Sequence, residues 1–253
     1  SPVREILTDG SRVNGIRLAD GSLHRADCIV SDADVAYTYH DLIDEKYRRK
    51  YKNQDIEKRF FSQSFFVIYF GTRQRYRSSG LAQHNIFLPQ KFQSFMQDIF
   101  ERRVLPQELL LHLHIPTLGD ESIAPPGCES FCLMATVPNQ QSGINWDKMA
   151  RSYRDRVFQF LEENYLPDLR SQLVVEHYID PLYFQNELNG YQGAAFSLQP
   201  ILSQTAWMRP HNRSEEFKNL YFVEAGTHPG AGIPSVLSSA SIVARLIELR
   251  CGV

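Results

Sequence analysis

Hydrophobic and polar positions along the chain predict a mixture of strands and helices. In the first 29 residues, short apolar stretches are separated by Asp9-Gly10 and Asp20-Gly21. Such pairs favour tight turns because glycine tolerates a positive φ, so this region is predicted to form a small antiparallel meander. The following segment, Asp34 to Phe60, has helical spacing.

Further along, the apolar pattern is typical of several strands and one long helix. Residues 64–71, SFFVIYFG, are apolar at odd and even positions alike, which predicts a strand in mid-sheet that is covered on both faces. Apolar residues three and four positions apart predict an amphipathic helix from Trp146 to Tyr165, which ends before Pro167. The remaining predicted strands are 108–116, 129–138, 172–179 and 219–226.

The composition is that of a folded chain with no strong charge preference. The 253 residues are 43% hydrophobic, and 27 basic residues nearly balance 29 acidic ones, so the formal net charge of -2 gives no general attraction to nucleic acid. Four irregularly spaced cysteines favour a reducing compartment over a disulfide framework. No run approaches the roughly 18 apolar residues of a membrane-spanning helix, and the first residues do not resemble a signal peptide.

The most informative local pattern lies between the last predicted strand and the last predicted helix. The sequence GTHPGAGIPSV, Gly226 to Val236, places glycines and prolines directly before helical sequence. Loop glycines let backbone approach a ligand, and the N–H groups at a helix N-terminus favour anionic oxygens. A purely structural turn is the alternative. The pattern is neither a phosphate-binding P-loop nor the Gly-x-Gly-x-x-Gly fingerprint, so a cofactor here would need a second phosphate-binding element elsewhere.

Other patterns give weaker indications of chemistry. His112 and His114 lie on one side of a predicted strand, as do Cys128 and Cys132, but neither pair has the usual zinc spacing. No Gly-x-Ser-x-Gly motif of a serine hydrolase occurs. The basic segment 46–52, KYRRKYK, is either a solvated helix face or a patch for lipid headgroups.

Residues 219–240, NLYFVEAGTHPGAGIPSVLSSA, closely resemble the C-terminal signature of the bacterial and fungal type phytoene desaturases, which are flavoenzymes of carotenoid synthesis. Residues 15–43, 64–71, 165–174 and 188–213 resemble the same family in the same order, so the resemblance covers nearly the whole chain. Members begin with a βαβ unit whose Gly-rich fingerprint binds the FAD pyrophosphate. This chain contains no such unit and no initiating methionine. We therefore expect it to be the C-terminal half of such an enzyme.

The resemblance implies a mixed α/β (α+β) fold, as the C-terminal part of a two-domain FAD-dependent oxidoreductase. Residues 1–36 and 200–253 are expected to form the C-terminal portion of a discontinuous FAD-binding domain. Residues 37–199 are expected to form the substrate-binding domain, an antiparallel sheet with flanking helices around a long apolar tunnel.

The implied function is FAD-dependent desaturation of phytoene, in which hydride leaves an allylic C–H bond of a polyene and a proton leaves the neighbouring carbon. The implied partners are a long apolar polyene such as phytoene, a membrane surface and the missing N-terminal dinucleotide-binding half. The alternatives are a carotenoid isomerase or other flavin amine-oxidase-like enzyme, and a non-catalytic fragment that binds apolar ligands.

The substrate also implies a location. Because a C40 hydrocarbon resides in the bilayer, we expect a cytoplasmic protein that is peripheral on the membrane. The basic segment 46–52, together with the nearby apolar Tyr51 and Phe60, is the predicted membrane contact.

Specific site residues follow from the resemblance. The family usually has glycine at the positions of Glu224 and Ser235. The Glu224 carboxylate would either hydrogen-bond a ribityl hydroxyl or repel the FAD phosphates, whereas Ser235 adds a Cβ where backbone should approach the flavin ring. His228 is the candidate catalytic residue, with a hydrogen-bonded loop histidine as the alternative. The residues expected to bind FAD are Val3 through its backbone, at the adenine, and Glu224, Ala225, Gly226, Gly232, Ile233, Pro234 and Val236, along the ribityl chain and ring.

Overall fold

The chain passes from one structural unit into a second and then returns to the first. The computed structural model describes residues 1–251. Unit 1 is made of Ser1–Ser62 and the chain from Leu188 onward, and unit 2 is Gln63–Glu187. Helices and mainly antiparallel sheets occur together, which confirms the predicted mixed fold class. The predicted functional boundaries at 36/37 and 199/200 differ from these unit boundaries and stay a prediction.

Unit 1 begins with the predicted meander, which is confirmed. Strands β1 (Val3–Asp9), β2 (Arg12–Leu18) and β3 (Leu23–Arg25) form a three-stranded antiparallel sheet. Gly10 has a φ of 57° in the β1–β2 turn, which is the conformation that made the Asp9-Gly10 pair informative.

A second, parallel pair of strands brings the two ends of unit 1 together. Strand β4 (Ile29–Ser31) pairs in parallel with a strand near the C-terminus, Leu220–Phe222. The Asn219 side chain joins this pair to the meander, because its amide donates to the carbonyl oxygens of Val13 at 2.7 Å and Asp27 at 2.6 Å and its oxygen accepts the Val13 N–H at 2.9 Å. Asn219 is buried, so these bonds are shielded from water.

The predicted helical segment 34–60 is interrupted. Helix α1 (Val35–Leu42) and helix α2 (Asn53–Glu57) are separated by a 3-10 turn, Glu45–Tyr47. Asp44 accepts the Lys46 N–H through its side chain, and such local bonds compete with helix continuation.

Several residues of the basic segment 46–52 form hydrogen bonds or ion pairs with other residues of unit 1. Arg48 is only 1% exposed and donates to Tyr51 O and Asn53 Oδ1, both at 2.7 Å, and Tyr51 is itself buried. Lys46 forms an ion pair with Asp44 at 2.7 Å, and Lys50 forms one with Glu215. Two of the five basic side chains of this segment therefore have acidic partners, and a third, Arg48, is buried.

Unit 2 is built on a five-stranded antiparallel sheet in the order β6-β7-β8-β5-β9. The predicted strands 64–71, 108–116, 129–138 and 172–179 are confirmed, with the second reduced to four residues. Strand β6 and three short helices have no counterpart in the prediction. The strands are β5 (Ser64–Thr72), β6 (His84–Phe87), β7 (Leu111–His114), β8 (Glu129–Val137) and β9 (Leu173–Ile179), and the helices are α3 (Phe92–Gln97), α4 (Trp146–Asn164), α5 (Leu169–Gln172) and α6 (Pro181–Asn186).

Helix α4 packs on one face of this sheet and forms the main core of unit 2. Phe66 of β5 contacts the rings of Trp146 and Tyr153 at centroid distances of 5.6 and 5.2 Å. The side chain of Asn145 caps α4 by accepting the Lys148 N–H. On the opposite face of β5, Val67 is buried and Tyr69 is 48% exposed, so the predicted cover on both faces holds along only part of the strand.

The two crossing points between the units are held together inside unit 1. Phe61 and Leu198 form an antiparallel bridge. The Ser62 N–H donates to Ser197 O at 2.8 Å, and the Gln199 N–H donates to Phe60 O at 2.9 Å. The segments that precede and follow unit 2 are therefore paired like two short strands.

Candidate functional site

The last strand, Leu220–Phe222, is β10, and it leads through residues 223–232 into helix α7 (Ile233–Cys251). We call residues 223–232 the C-terminal loop. Because β4 and β10 are parallel, their carboxyl ends lie at the same edge, and the Val223 N–H continues the pairing to Ser31 O at 3.0 Å. Asp34 follows β4 and Glu224 follows β10, which brings these two acids together. Such strand ends are the usual ligand-binding edge of parallel sheets.

The C-terminal loop begins with a tight turn around Gly226. The Gly226 N–H donates to the Glu224 carboxylate, and the Thr227 hydroxyl donates to Glu224 O at 3.1 Å. The α-carbon of Gly226 is closely surrounded, because a Cβ there would lie 2.3 Å from Ser197 Oγ and 2.9 Å from Val35 Cγ1. Glycine is therefore required here by lack of space.

A buried arginine holds this turn from below. Arg209 is 4% exposed, and its guanidinium donates to Thr227 O at 3.0 Å and to Ala225 O. It has no carboxylate within ion-pair distance among the described residues, and burial lowers its pKa from the ordinary value. The charge is stabilised chiefly by backbone carbonyl oxygens, which fixes the path of the loop.

Asn212 supports the next part of the loop. Its side-chain amide donates to His228 O at 2.7 Å and to Phe222 O at 3.2 Å. It therefore joins the end of β10 to the cis peptide bond between His228 and Pro229.

Glu224 and Asp34 form a buried acidic pair in this site. Glu224 is 6% exposed, and burial, assisted by the negative charge of Asp34, raises the pKa of Glu224 to about 8. Burial also raises the pKa of Asp34, although the N–H groups at the start of α1 oppose this shift. The Glu224 carboxyl group is thus directed into unit 1, and its predicted role toward a cofactor stays a prediction.

The far side of the C-terminal loop is open. A Cβ on Gly232 would meet no atom within 4 Å, and Ile233 at the start of α7 is 79% exposed. Pro234 is exposed and Ser235 is half-buried, so the extra Cβ of Ser235 is accommodated in unit 1. Exposed backbone next to a helix N-terminus fits one side of a cradle for an anionic or polar cofactor.

Two predicted site residues lie apart from the buried pair. His228 is exposed and lines a cavity of about 740 Å³ with Trp207, His211 and Leu246. Val3 begins β1 and is partly buried beside the hydrophobic core of unit 1. None of the hydrogen bonds within residues 1–251 joins Val3 to the C-terminal loop, so its predicted backbone contact with adenine stays a prediction.

Four residues of the site are absent from the sequence-based list: Asp34, Ser197, Arg209 and Asn212. Asp34 had a usable signal, because an acid directly after a predicted strand and before a helix is a good N-cap. Arg209 and Asn212 lie within the stretch 188–213 that carries the family resemblance, but nothing in a polar loop sequence shows that a side chain is buried.

The two histidines on one side of the predicted strand, His112 and His114, lie beside a third histidine in unit 2. His84 Nδ1 lies 3.2 Å from His112 Nε2, and the His84 ring stacks on that of His114 at 4.2 Å. Within residues 1–251, no group of three or more His, Cys, Asp or Glu side chains is arranged to hold a metal ion.

Comparison with known families decides the relationship of the chain. The family model described as flavin containing amine oxidoreductase matches residues 1–248. The chain belongs to this family. The description of this family names a flavin. This agrees with the open backbone at Gly232 and Ile233, beside the N-terminus of α7.

Curated relatives of this chain include phytoene desaturases. The chain is 42% identical over 246 residues to the lycopene-forming phytoene desaturase of Pseudescherichia vulneris and 38% identical over 246 residues to that of Pantoea ananas. Each alignment covers 97% of the chain and 50% of the relative. The chain therefore spans about half the length of these relatives.

Solved structures of two oxidoreductases share the fold. An oxidoreductase from Methanosarcina mazei superposes with a TM-score of 0.58 at 17% identity, and a redesigned putrescine oxidase superposes with a TM-score of 0.57 at 14% identity. In both cases 96% of this chain matches 48% of the other chain.

Replacing Gly226 should test the tight turn. Gly226→Ala is expected to lower the free energy of unfolding by about 1–3 kcal/mol, because the new methyl group collides with Ser197 and Val35. Urea denaturation measures this change. Gly119→Ala is the matched control, since Gly119 has an ordinary φ of -94° and its Cβ would meet only the flexible side chain of Gln83. Equal stability of the two variants would contradict the packing described here.

Proposed function

We propose that the chain supplies the C-terminal half of an FAD-dependent phytoene desaturase. The observation that carries this proposal is the C-terminal loop, in which buried Arg209 and Asn212 fix the inner side while Gly232 and the start of α7 stay open. The 42% identity to a phytoene desaturase over nearly the whole chain supports the substrate class.

In this proposal the open backbone of the C-terminal loop holds the flavin. Gly232, Ile233, Pro234 and Val236 would lie along it, with the N–H groups of α7 directed toward its polar atoms. Ala225 and Gly226 would shape the inner wall, Glu224 would support them from within, and Val3 would contact the adenine through its backbone. The chemistry that FAD would supply when bound is that of a hydride acceptor for a C–H bond. Arg209 and Asn212 act through the loop, which they hold in place.

The polyene would lie on the open face of the unit 2 sheet. A cavity of about 500 Å³ there is walled by Tyr69, Ile123 and Val175, which are each about half exposed or more, together with Cys132 and His177. Such a concentration of exposed apolar side chains is typical of a surface that binds an apolar partner. These walls would align a hydrocarbon and exclude water from it, without forming hydrogen bonds to it.

The same cavity favours a hydrocarbon over a charged amine, the substrate type suggested by the family name. Its single carboxylate, Glu129, is buried and already engaged by the Tyr76 N–H at 2.7 Å and by Arg77 at 3.5 Å. A cationic substrate would find no available negative group there. A carotenoid isomerase uses a similar apolar ligand, so analysis of the products separates it from a desaturase.

We also propose that the protein is peripheral on a membrane, through a surface different from the segment 46–52. Leu202, Trp207 and Met208 are 93%, 80% and 64% exposed, and Trp207 and Met208 line a cavity of about 490 Å³ with the basic residues Lys58 and Arg59. Exposed Trp beside basic side chains suits the interface of an anionic bilayer. Within residues 1–251, no helix is long and apolar enough to span a membrane.

Activity should appear when the missing partner half is supplied. The chain joined to the N-terminal half of the Pseudescherichia vulneris relative is expected to copurify with flavin, visible by its absorbance, and to convert phytoene into more conjugated products. Chromatography of extracts measures these products, and the chain without that half is the control. A flavin-containing chimera that yields only isomerised phytoene would contradict desaturation.

His228 is proposed as the catalytic residue. In the same chimera, His228→Ala is expected to lower the desaturation rate about 100-fold with normal flavin content, which is the usual scale for loss of a proton-transfer group. His24→Ala, in the exposed strand β3, is the control. Full activity of His228→Ala with normal flavin would leave only the structural role of this histidine.

Vesicle flotation distinguishes the two candidate membrane contacts. Replacing Leu202, Trp207 and Met208 with serine is expected to reduce binding of the chain to anionic vesicles at least tenfold, because apolar insertion is lost. Neutralising Lys46, Arg49, Lys50 and Lys52 should have a smaller effect, since two of these four charges, those of Lys46 and Lys50, are already paired with acids. The reverse order of the two effects would restore the segment 46–52 as the contact.

A further inference from the structure

Three ionisable side chains meet beneath the C-terminal loop, and all three are buried. They are Asp34 at the start of α1, Glu224 after β10, and Arg209, with exposed fractions of 8%, 6% and 4%. Each comes from a different segment of unit 1. The charged groups that shift the pKa of Glu224 include the other two members, since Asp34 raises it and Arg209 lowers it.

The hydrogen bonds available to the two acids are unequal. Asp34 accepts the N–H groups of Ala36 at 2.7 Å and Tyr37 at 3.3 Å, as the N-cap of α1. Glu224 accepts the Gly226 N–H through one oxygen. Its other oxygen, Oε1, is buried and has no hydrogen-bond partner among the described residues, although the Val35 N–H is close enough to the carboxylate to lower the pKa of Glu224.

This arrangement is unfavourable for two ionised carboxylates. Removing a charge from water is costly unless it is paired and hydrogen-bonded, and two carboxylates in one buried site repel each other. Arg209 can balance one of the two negative charges, but its guanidinium is largely committed to backbone carbonyl oxygens. Within residues 1–251, neither acid forms an ion pair with a second cation, and the remaining stabilisation comes from neutral hydrogen-bond donors.

We propose that Asp34 and Glu224 hold one proton between them at neutral pH, so that Glu224 is a positioning residue that supports the C-terminal loop without adding a negative charge beneath it. With Arg209 positive and one acid ionised, the cluster is neutral overall. Its benefit to an anionic cofactor rests on the function proposed above. A doubly ionised pair would repel the phosphates of FAD, whereas the neutral cluster does not.

Proton binding by the pair links folding to pH. The pKa of Glu224 is raised by burial from 4.5 to about 8, so between these values the folded chain binds a proton that the unfolded chain has released. Stability contributed by this site is therefore greatest below pH 4.5, falls as the pH rises, and levels off above about 8. Within this window the unfolding equilibrium constant should rise about tenfold per pH unit because of this site.

Urea denaturation of the chain at several pH values from 5 to 9 tests the shared proton. Glu224→Gln keeps the shape of the side chain and cannot release a proton, so it should remove about one proton from the pH dependence of unfolding. Glu101→Gln, on the surface, is the control and should leave that dependence unchanged. If Glu224→Gln does not fold, Asp34→Asn is the second variant, because asparagine is also a good N-cap.

The cofactor part is tested separately with the chimera. FAD affinity of the unchanged chimera should fall at least tenfold between pH 7 and 9, whereas the affinity of the Glu224→Gln chimera, whatever its value at pH 7, should not change over this range. An identical pH dependence of unfolding in the chain and its Glu224→Gln variant would overturn the shared proton. A normal proton linkage in a chimera that binds no flavin would overturn the function and leave the shared proton established.

Discussion

The guanidinium of Arg209 donates to backbone carbonyl oxygens of the C-terminal loop, and the path of that loop depends on it. An ion pair with a carboxylate would fix only the arginine side chain. Because Arg209 donates to the carbonyl oxygens of Ala225 and Thr227, it fixes the backbone of the loop. Because the group is buried, water does not compete for these bonds. The loop therefore has one conformation on its inner side, while its outer side presents backbone without obstruction.

This division between a fixed inner side and an open outer side organises the rest of the site. Asn212 continues the inner support to His228 O, and Asn219 anchors β10 to the meander. The acids at the ends of β4 and β10 complete the same layer. Position 224 accommodates glutamate because the carboxyl group is buried and directed toward this interior layer.

The sequence predicted the fold well where the apolar periodicity is strong. It predicted the fold poorly where local side-chain hydrogen bonds or tertiary contacts determine the secondary structure. The meander, α4 and the long strands β5 and β8 follow directly from turn pairs and apolar spacing. The segment 34–60 carries helical spacing, but the Asp44 side chain terminates the helical path locally. Strand β6 is short and carries polar residues such as His84 and Asn85, so its pairing with β7 depends on tertiary context.

The position of the C-terminal loop could be predicted from the sequence, whereas the buried polar residues that support it could not. Glycine and proline before a helix identify the C-terminal loop, and the family resemblance supplies the residues along it. Arg209, Asn212 and Ser197 act from loops with no periodic pattern, where exposed and buried polar residues look the same in sequence. Arg48 illustrates the same limit in the opposite direction, because a run of basic residues suggested a surface and the structure buries one of its two arginines.

Because the segments around Ser62 and Ser197 are paired with each other, unit 2 is an insertion that can be exchanged as a whole. Its 125 residues enter and leave beside one another, at a bridge that belongs to unit 1 and that already closes the connection. Loop closure between such adjacent ends is inexpensive in entropy. A lineage could therefore exchange the sheet of unit 2 while keeping the C-terminal loop of unit 1 intact, so that the two units can diversify independently.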